Sequence, residues 1–169
     1  MPATYEPIAT TTLGTTAASI TFSTIPATYT DLRLVIVPIG TLDTRDLYLI
    51  FNSDTGTNYS RTTLRGSGAS ALSASAANVS EMNLSTGSGG TSNTVPYLLT
   101  ADIFSYAGST FKTVLSETNG DKNGSGNVIR YVHLYRSTSA ITTIELNLEN
   151  GGTTFAAGTT ATLYGIKNA

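Results

Sequence analysis

The sequence has no cysteine, no tryptophan, no glutamine and a single histidine among its 169 residues. The first absence excludes a disulfide framework, a thiolate metal site and a cysteine nucleophile. A lone imidazole excludes a histidine-rich metal centre. Charge is scarce too: Asp, Glu, Lys and Arg make up 12% of the chain, about half of the roughly 25% usual in soluble domains. At a net charge of −2 there is no basic surplus to neutralise phosphates, so no nucleic-acid partner is expected. No apolar run approaches the roughly 18 residues of a membrane span. Met1-Pro2-Ala3-Thr4 has neither the basic nor the apolar region of a signal peptide. Cytoplasmic synthesis and no membrane partner are therefore the expectation.

What is abundant is small hydroxyl and β-branched side chains. There are 31 Thr and 18 Ser, and Thr, Ile and Val together number 49. A hydrophobic fraction of 40%, with neutral rather than charged polar residues, separates the chain from the charge-rich composition of disordered segments. Strong helix formers are few, and no stretch of ten residues carries an apolar period of 3.6, so the apolar runs read as strands.

The predicted strands are Tyr5–Thr12, Ser19–Phe22, Leu32–Ile39, Asp46–Phe51 and Asn58–Leu64, then Tyr97–Phe104, Phe111–Thr118, Val128–Arg136, Ile141–Leu148 and Thr160–Ile166. Pro7 confines the first to a sheet edge. The run LRLVIVPI is apolar at nearly every position, as for a strand covered on both faces. Asn58–Leu64 is expected to pair with Asp46–Phe51 across a polar turn. Ile144, Leu146 and Leu148 alternate with Thr143, Glu145 and Asn147, the period of a sheet wet on one face. Asn-Gly pairs at 119–120 and 123–124 and Asn150-Gly151-Gly152 supply turns. Residues 1–169 thus read as one all-β domain, an antiparallel β-sandwich of about eight to ten strands. Its preferred form is a jelly roll of two four-stranded sheets. A flexible Ser/Gly/Ala-rich insertion is expected at residues 66–93.

Candidate chemistry is sparse. His133 lies on the strand side shared with Ile129, Tyr131 and Tyr135 and reads as a sheet-face or interface histidine. Buried at a contact between copies, it would make assembly respond to pH near 6. FNSDTGTNYS at 51–60 imitates the start of a calcium loop. Its twelfth position, Thr63, is not the required Glu, so a turn capped by Asx side chains is the better reading. Asp102, the one acid in an apolar strand, is expected to partner an Arg or face water. No metal, cofactor or catalytic residue is assigned, and no enzyme is expected.

Several motifs in order resemble a known group: Tyr5-Glu6-Pro7-Ile8-Ala9-Thr10, Ser19-Ile20-Thr21-Phe22, Ile25 to Val35, Phe51 to Ser60, Tyr106-Ala107-Gly108-Ser109-Thr110 and Ala157 to Ile166. Together they are similar to a family of small jelly-roll domains of tailed-bacteriophage virion proteins. Val37-Pro38-Ile39-Gly40 departs from that pattern, which has a more polar strand end. The resemblance implies a capsid decoration (cement) protein on the virion surface that stabilises the head shell by non-covalent binding. Its implied partners are the major capsid protein and further copies of itself, as a homotrimer. A tail or head fibre domain binding a host receptor or glycan is the alternative. A strand pattern filling the chain suits a subunit bound directly to the shell. The edge segment at Tyr5, Pro7 and Ile8 is the candidate capsid or assembly contact, because an edge strand offers unpaired backbone groups.

Overall fold

Alternation of buried and exposed side chains along extended segments builds this chain, and among the described residues it does so in twelve strands. The computed structural model describes residues 5–86, 89–149 and 153–167. The strands are β1 (Tyr5–Thr12), β2 (Ser19–Phe22), β3 (Asp31–Val37), β4 (Leu47–Phe51), β5 (Tyr59–Gly66) and β6 (Ala71–Val79). They continue as β7 (Met82–Asn83), β8 (Leu98–Ile103), β9 (Lys112–Gly120), β10 (Asn127–Tyr135), β11 (Ile144–Leu148) and β12 (Thr160–Ile166). An eight-stranded antiparallel sheet, ordered β1-β12-β3-β8-β9-β10-β5-β6, packs on a four-stranded one, ordered β2-β11-β4-β7. The all-β antiparallel sandwich is as expected; the sheets hold eight and four strands rather than four and four.

Four pairings describe the path of the chain: β1 with β12, β2 with β11, β3 with β8 and β4 with β7. They nest one inside the next, like the two arms of a long hairpin folded over on itself. Two shorter hairpins interrupt the arms. β5–β6 follows β4, β9–β10 follows β8, and the two join through β10 and β5, widening one sheet beyond β8.

The core lies where the sheets overlap. Leu32, Leu34 and Ile36 of β3 meet Leu47, Leu49 and Phe51 of β4 and Ile144, Leu146 and Leu148 of β11 in one apolar cluster. Each such side chain, withdrawn from water, contributes about 1.5–3 kcal/mol. The alternation read from Ile144 to Leu148 holds, with Glu145 and Asn147 half-exposed.

Three expectations need correction. First, β4 and β5 do not pair; β4 belongs to the small sheet and β5 to the large one. Asn52 and Ser53 both adopt left-handed backbone conformations, with φ of 52° and 55°, and swing the chain across the sandwich. Asp54 then accepts bonds from Gly56 N and Asn58 Nδ2, each at 2.9 Å, and from the Tyr135 hydroxyl at 3.0 Å. The motif is the Asx-capped turn, used as a corner between sheets.

Second, β3 is buried on one face only. Arg33, Val35 and Val37 are half-exposed on the other, because no second layer covers the outer side of the large sheet.

Third, residues 66–93 are not a plain insertion. They contain β6 and β7, and Leu84, Ser85, Thr91 and Ser92 are buried. Ser85 Oγ accepts from Leu47 N at 2.8 Å, and Thr118 Oγ1 donates to Leu84 O at 2.7 Å. A Cβ at Gly90 would stand 1.6 Å from the carbonyl oxygen of Arg45, so close approach of backbones explains a glycine that composition made look flexible. Gly87 and Ser88 lie outside the described residues, as does the predicted turn at Asn150-Gly151-Gly152.

A buried lysine ties the end of the β8–β9 connection. Lys112 is fully buried, and its Nζ donates to the carbonyls of Gly108 at 2.7 Å, of Thr110, and of Ser137 at 3.4 Å. Burial pushes its pKa below the ordinary lysine value. Lys112→Met would keep the stem and strand three carbonyls, at a cost of about 2–3 kcal/mol. Urea denaturation should show a lower midpoint with an unchanged slope.

Candidate assembly surface

Cross-strand register sets the outward side chains of the large sheet in rows. One row runs Pro7, Tyr164, Arg33, Asp102, Leu115, Val132, Thr62, Ser75 from β1 to β6. The next runs Thr10, Thr162, Val35, Thr100, Glu117, Arg130, Leu64, Ser73. Leu98 and Val128 flank Asn119 in a further row. Leu64 is 62% and Val128 58% exposed, and Val132, Leu115 and Leu98 are also exposed. Aliphatic side chains on neighbouring strands of one open face amount to more than the scattered apolar residues of an ordinary surface. Ser19, Thr21, Tyr48, Glu145 and Asn147 occupy corresponding positions of the small sheet, with Ile50 the one aliphatic side chain among them.

Four of the five charges on the strands of this face are matched within it. Arg33 Nη1 lies 3.4 Å from Asp102 Oδ1, as the sequence reading of Asp102 anticipated, and Arg130 Nη2 lies 3.2 Å from Glu117 Oε2. The pairs are part-exposed and add little stability; the fifth charge, Asp31 at the start of β3, accepts from Ser105 N at 2.7 Å. A groove of about 590 Å³ crosses its middle, with Arg33, Thr100, Asp102 and Leu115 on one side and Thr62, Leu64 and Val132 on the other.

Of the candidate contact residues, Tyr5 and Pro7 stand exposed at the β1 border of this face. Ile8 does not join them. Strand alternation sets it on the side opposite Pro7, against the core, and the register slips between Pro7 and Ala9. β1 is a sheet edge, as Pro7 required. The sequence reading missed the aliphatic rows; their signal was Val128, Val132 and Leu134 at alternate positions, interrupted by Arg130, on the side opposite His133 and Tyr131.

The inner side of β9 and β10 holds buried polar groups. His133 is 1% exposed, stacks on Tyr131 with centroids 5.2 Å apart, and has Nε2 at 3.1 Å from Ser116 Oγ. Its Nδ1 and the Tyr131 hydroxyl have no hydrogen-bond partner. Burial, and then the positive charge of Arg61, push the His133 pKa down to about 3. The imidazole is enclosed within the chain, so its titration is coupled to folding, and the condition for a pH-responsive contact between copies is not met. Among the described residues no group of three or more His, Asp or Glu side chains is placed to hold a metal ion.

No protein-family model, curated protein or solved structure matches the chain. The reading of its function therefore rests on its own surface.

The buried histidine gives a pH dependence of definite sign. Unfolded, the imidazole titrates near 6.5; folded, at about 3. Between these values the unfolded chain binds the extra proton, so stability falls with decreasing pH by up to about 1.4 kcal/mol per unit. Glu81, whose pKa burial raises, contributes with the opposite sign. Urea titrations of the protein and of His133→Asn at pH 7, 6 and 5 separate the two. The variant should lose most of the decline, whereas parallel declines would remove the role from His133.

Proposed function

We propose that the protein is a virion structural subunit, a capsid decoration protein of a tailed bacteriophage that binds its shell non-covalently through the outer face of the large sheet. The observation that carries this reading is that face: aliphatic rows interleaved with Thr and Ser, its four central charges neutralised in place. Such a surface gains from losing water against another protein and presents no field that demands a charged ligand. Each copy then stabilises the assembled shell by mass action, and symmetric copies add avidity.

The strand order supports the same reading. With β5, β6, β9 and β10 set aside, the orders β1-β12-β3-β8 and β2-β11-β4-β7 are compatible with a jelly roll, a fold used by viral coat proteins as well as lectins. The inserted hairpins then serve to widen the docking face. In the fibre alternative, the groove over Arg33 and Asp102 would take a host glycan.

Rebinding to stripped capsids tests the choice. Leu115→Asp and Val132→Asp place uncompensated carboxylates in the centre of the face and should weaken attachment by at least about tenfold. The unmodified protein should bind almost equally well at 50 and 500 mM salt, since the central charges are paired and screening has little to act on. Binding that collapses with salt, or variants that bind like the parent, would overturn the reading. An image of the virion gives the second check, with hundreds of copies for decoration and a few dozen or fewer for a fibre.

A further inference from the structure

The two edges of the large sheet are treated differently. β1 is blunted in the ways known to discourage strand addition: Pro7 lacks an N–H, and the bulge at Ile8 breaks the register. β6 has neither device. It pairs with β5 on one side only, so alternate N–H and C=O groups along its other side point away from the sheet. No charged residue occurs from Gly66 to Ser80, and nearly every β6 side chain is exposed, Leu72 by 50%.

We propose that β6 is a self-association edge, pairing antiparallel with β6 of a second copy across a two-fold axis to make one continuous sheet from two. The regular ladder to β5 fixes where the axis falls. It runs from Ala71 to Ala77 and is broken at Asn78, which has φ of 56° and is skipped in the register. The midpoint of that stretch is Ala74. Antiparallel pairing about Ala74 sets Leu72 opposite Ala76 twice over, Ser73 opposite Ser75, and Ala71 opposite Ala77. Large meets small, and hydroxyl meets hydroxyl, which is the cross-strand matching that stabilises a sheet.

A second copy is the occupant because the edge complements itself in shape and carries no charge. Two neutral edges meet without repulsion, and a charged strand from another protein would find no counter-charge. β1 of a neighbour is excluded as the partner by Pro7 and the bulge, so the association is isologous and closes as a dimer. A seven-residue ladder with one leucine per copy is a small interface, so the dimer forms in the micromolar range and is reinforced where copies are held on a common surface. The inference does not require the shell-binding reading: Ser73 and Ser75 end the rows of that face, but the edge pairs through its main chain and its test reads self-association alone.

Light scattering and sedimentation over a wide concentration range should show a monomer–dimer equilibrium. Ser73→Lys combined with Ser75→Lys places lysines opposite one another across the seam and should raise the dissociation constant at least about tenfold. Thr10→Lys, on the β1 edge, should leave it unchanged. Hydrogen exchange on the unmodified protein gives a readout that no variant can confuse: alternate amides of Ala71–Ala77 should slow as concentration rises. A monomer at every concentration, a trimer, or a dimer that survives the double substitution with β6 amides still exchanging fast would overturn the proposal.

Discussion

Two sheets of unequal width must close around one core, and the rest of the structure follows from how the excess width is handled. Four strands of the large sheet lie opposite the small sheet, with the nested pairs supplying the Leu, Ile and Phe side chains of the central cluster. The other four, from the inserted hairpins, have too little small sheet beneath them. Their inner side is closed by the segment after β7, where Leu84, Ser85, Gly90 and Thr91 are buried. It is closed also by polar groups that a fully overlapping sandwich would not hold. Asn127 accepts from Arg65 at 2.8 Å, and His133 and Tyr131 stack in the same region. An imidazole held neutral by burial is what this closure costs the fold in acid.

The outer side of the same sheet has no covering layer at all. A central strand such as β3, apolar on both faces in sequence, is buried on one face and half-exposed on the other. Read as a lone molecule, Val35 and Val37 break the rule that a wet face is polar. Read as a subunit, they keep it.

Strands were legible wherever burial wrote an alternating or continuous apolar pattern. Ser19–Phe22 and Thr160–Ile166 have the same limits in sequence and structure, and most others differ by one to three residues. Strand partners were not legible, because pairing depends on where the chain turns. Two left-handed residues at Asn52 and Ser53 sent β4 and β5 to different sheets. β6 was invisible for another reason: Ala and Ser on both faces of an exposed edge carry no amphipathic signal. Glycines at 89 and 90 were misread because composition cannot distinguish a residue that is small for freedom from one that is small for want of space. A Cβ at Gly89 would meet Ile129 at 2.7 Å. Of the candidate contact residues, Tyr5 and Pro7 sit on the border of the outer face of the large sheet and Ile8 does not, because strand alternation faces it the other way.

The nesting of the strand pairs also sets an order of events in time. β4 and β7 form the innermost pair, and β5–β6 and β9–β10 are local hairpins that close quickly. β1 pairs as a strand with β12 alone, from Tyr5 opposite Ile166 to Thr12 opposite Thr160. On the ribosome the first strand therefore waits for nearly the whole remainder of the chain before it finds its one neighbour. Contacts so distant in sequence make for slow folding, and β3 lacks its β12 neighbour for as long. The bulge and proline of β1 then protect more than the finished sheet, for they keep the waiting strand from pairing with the nascent chain beside it.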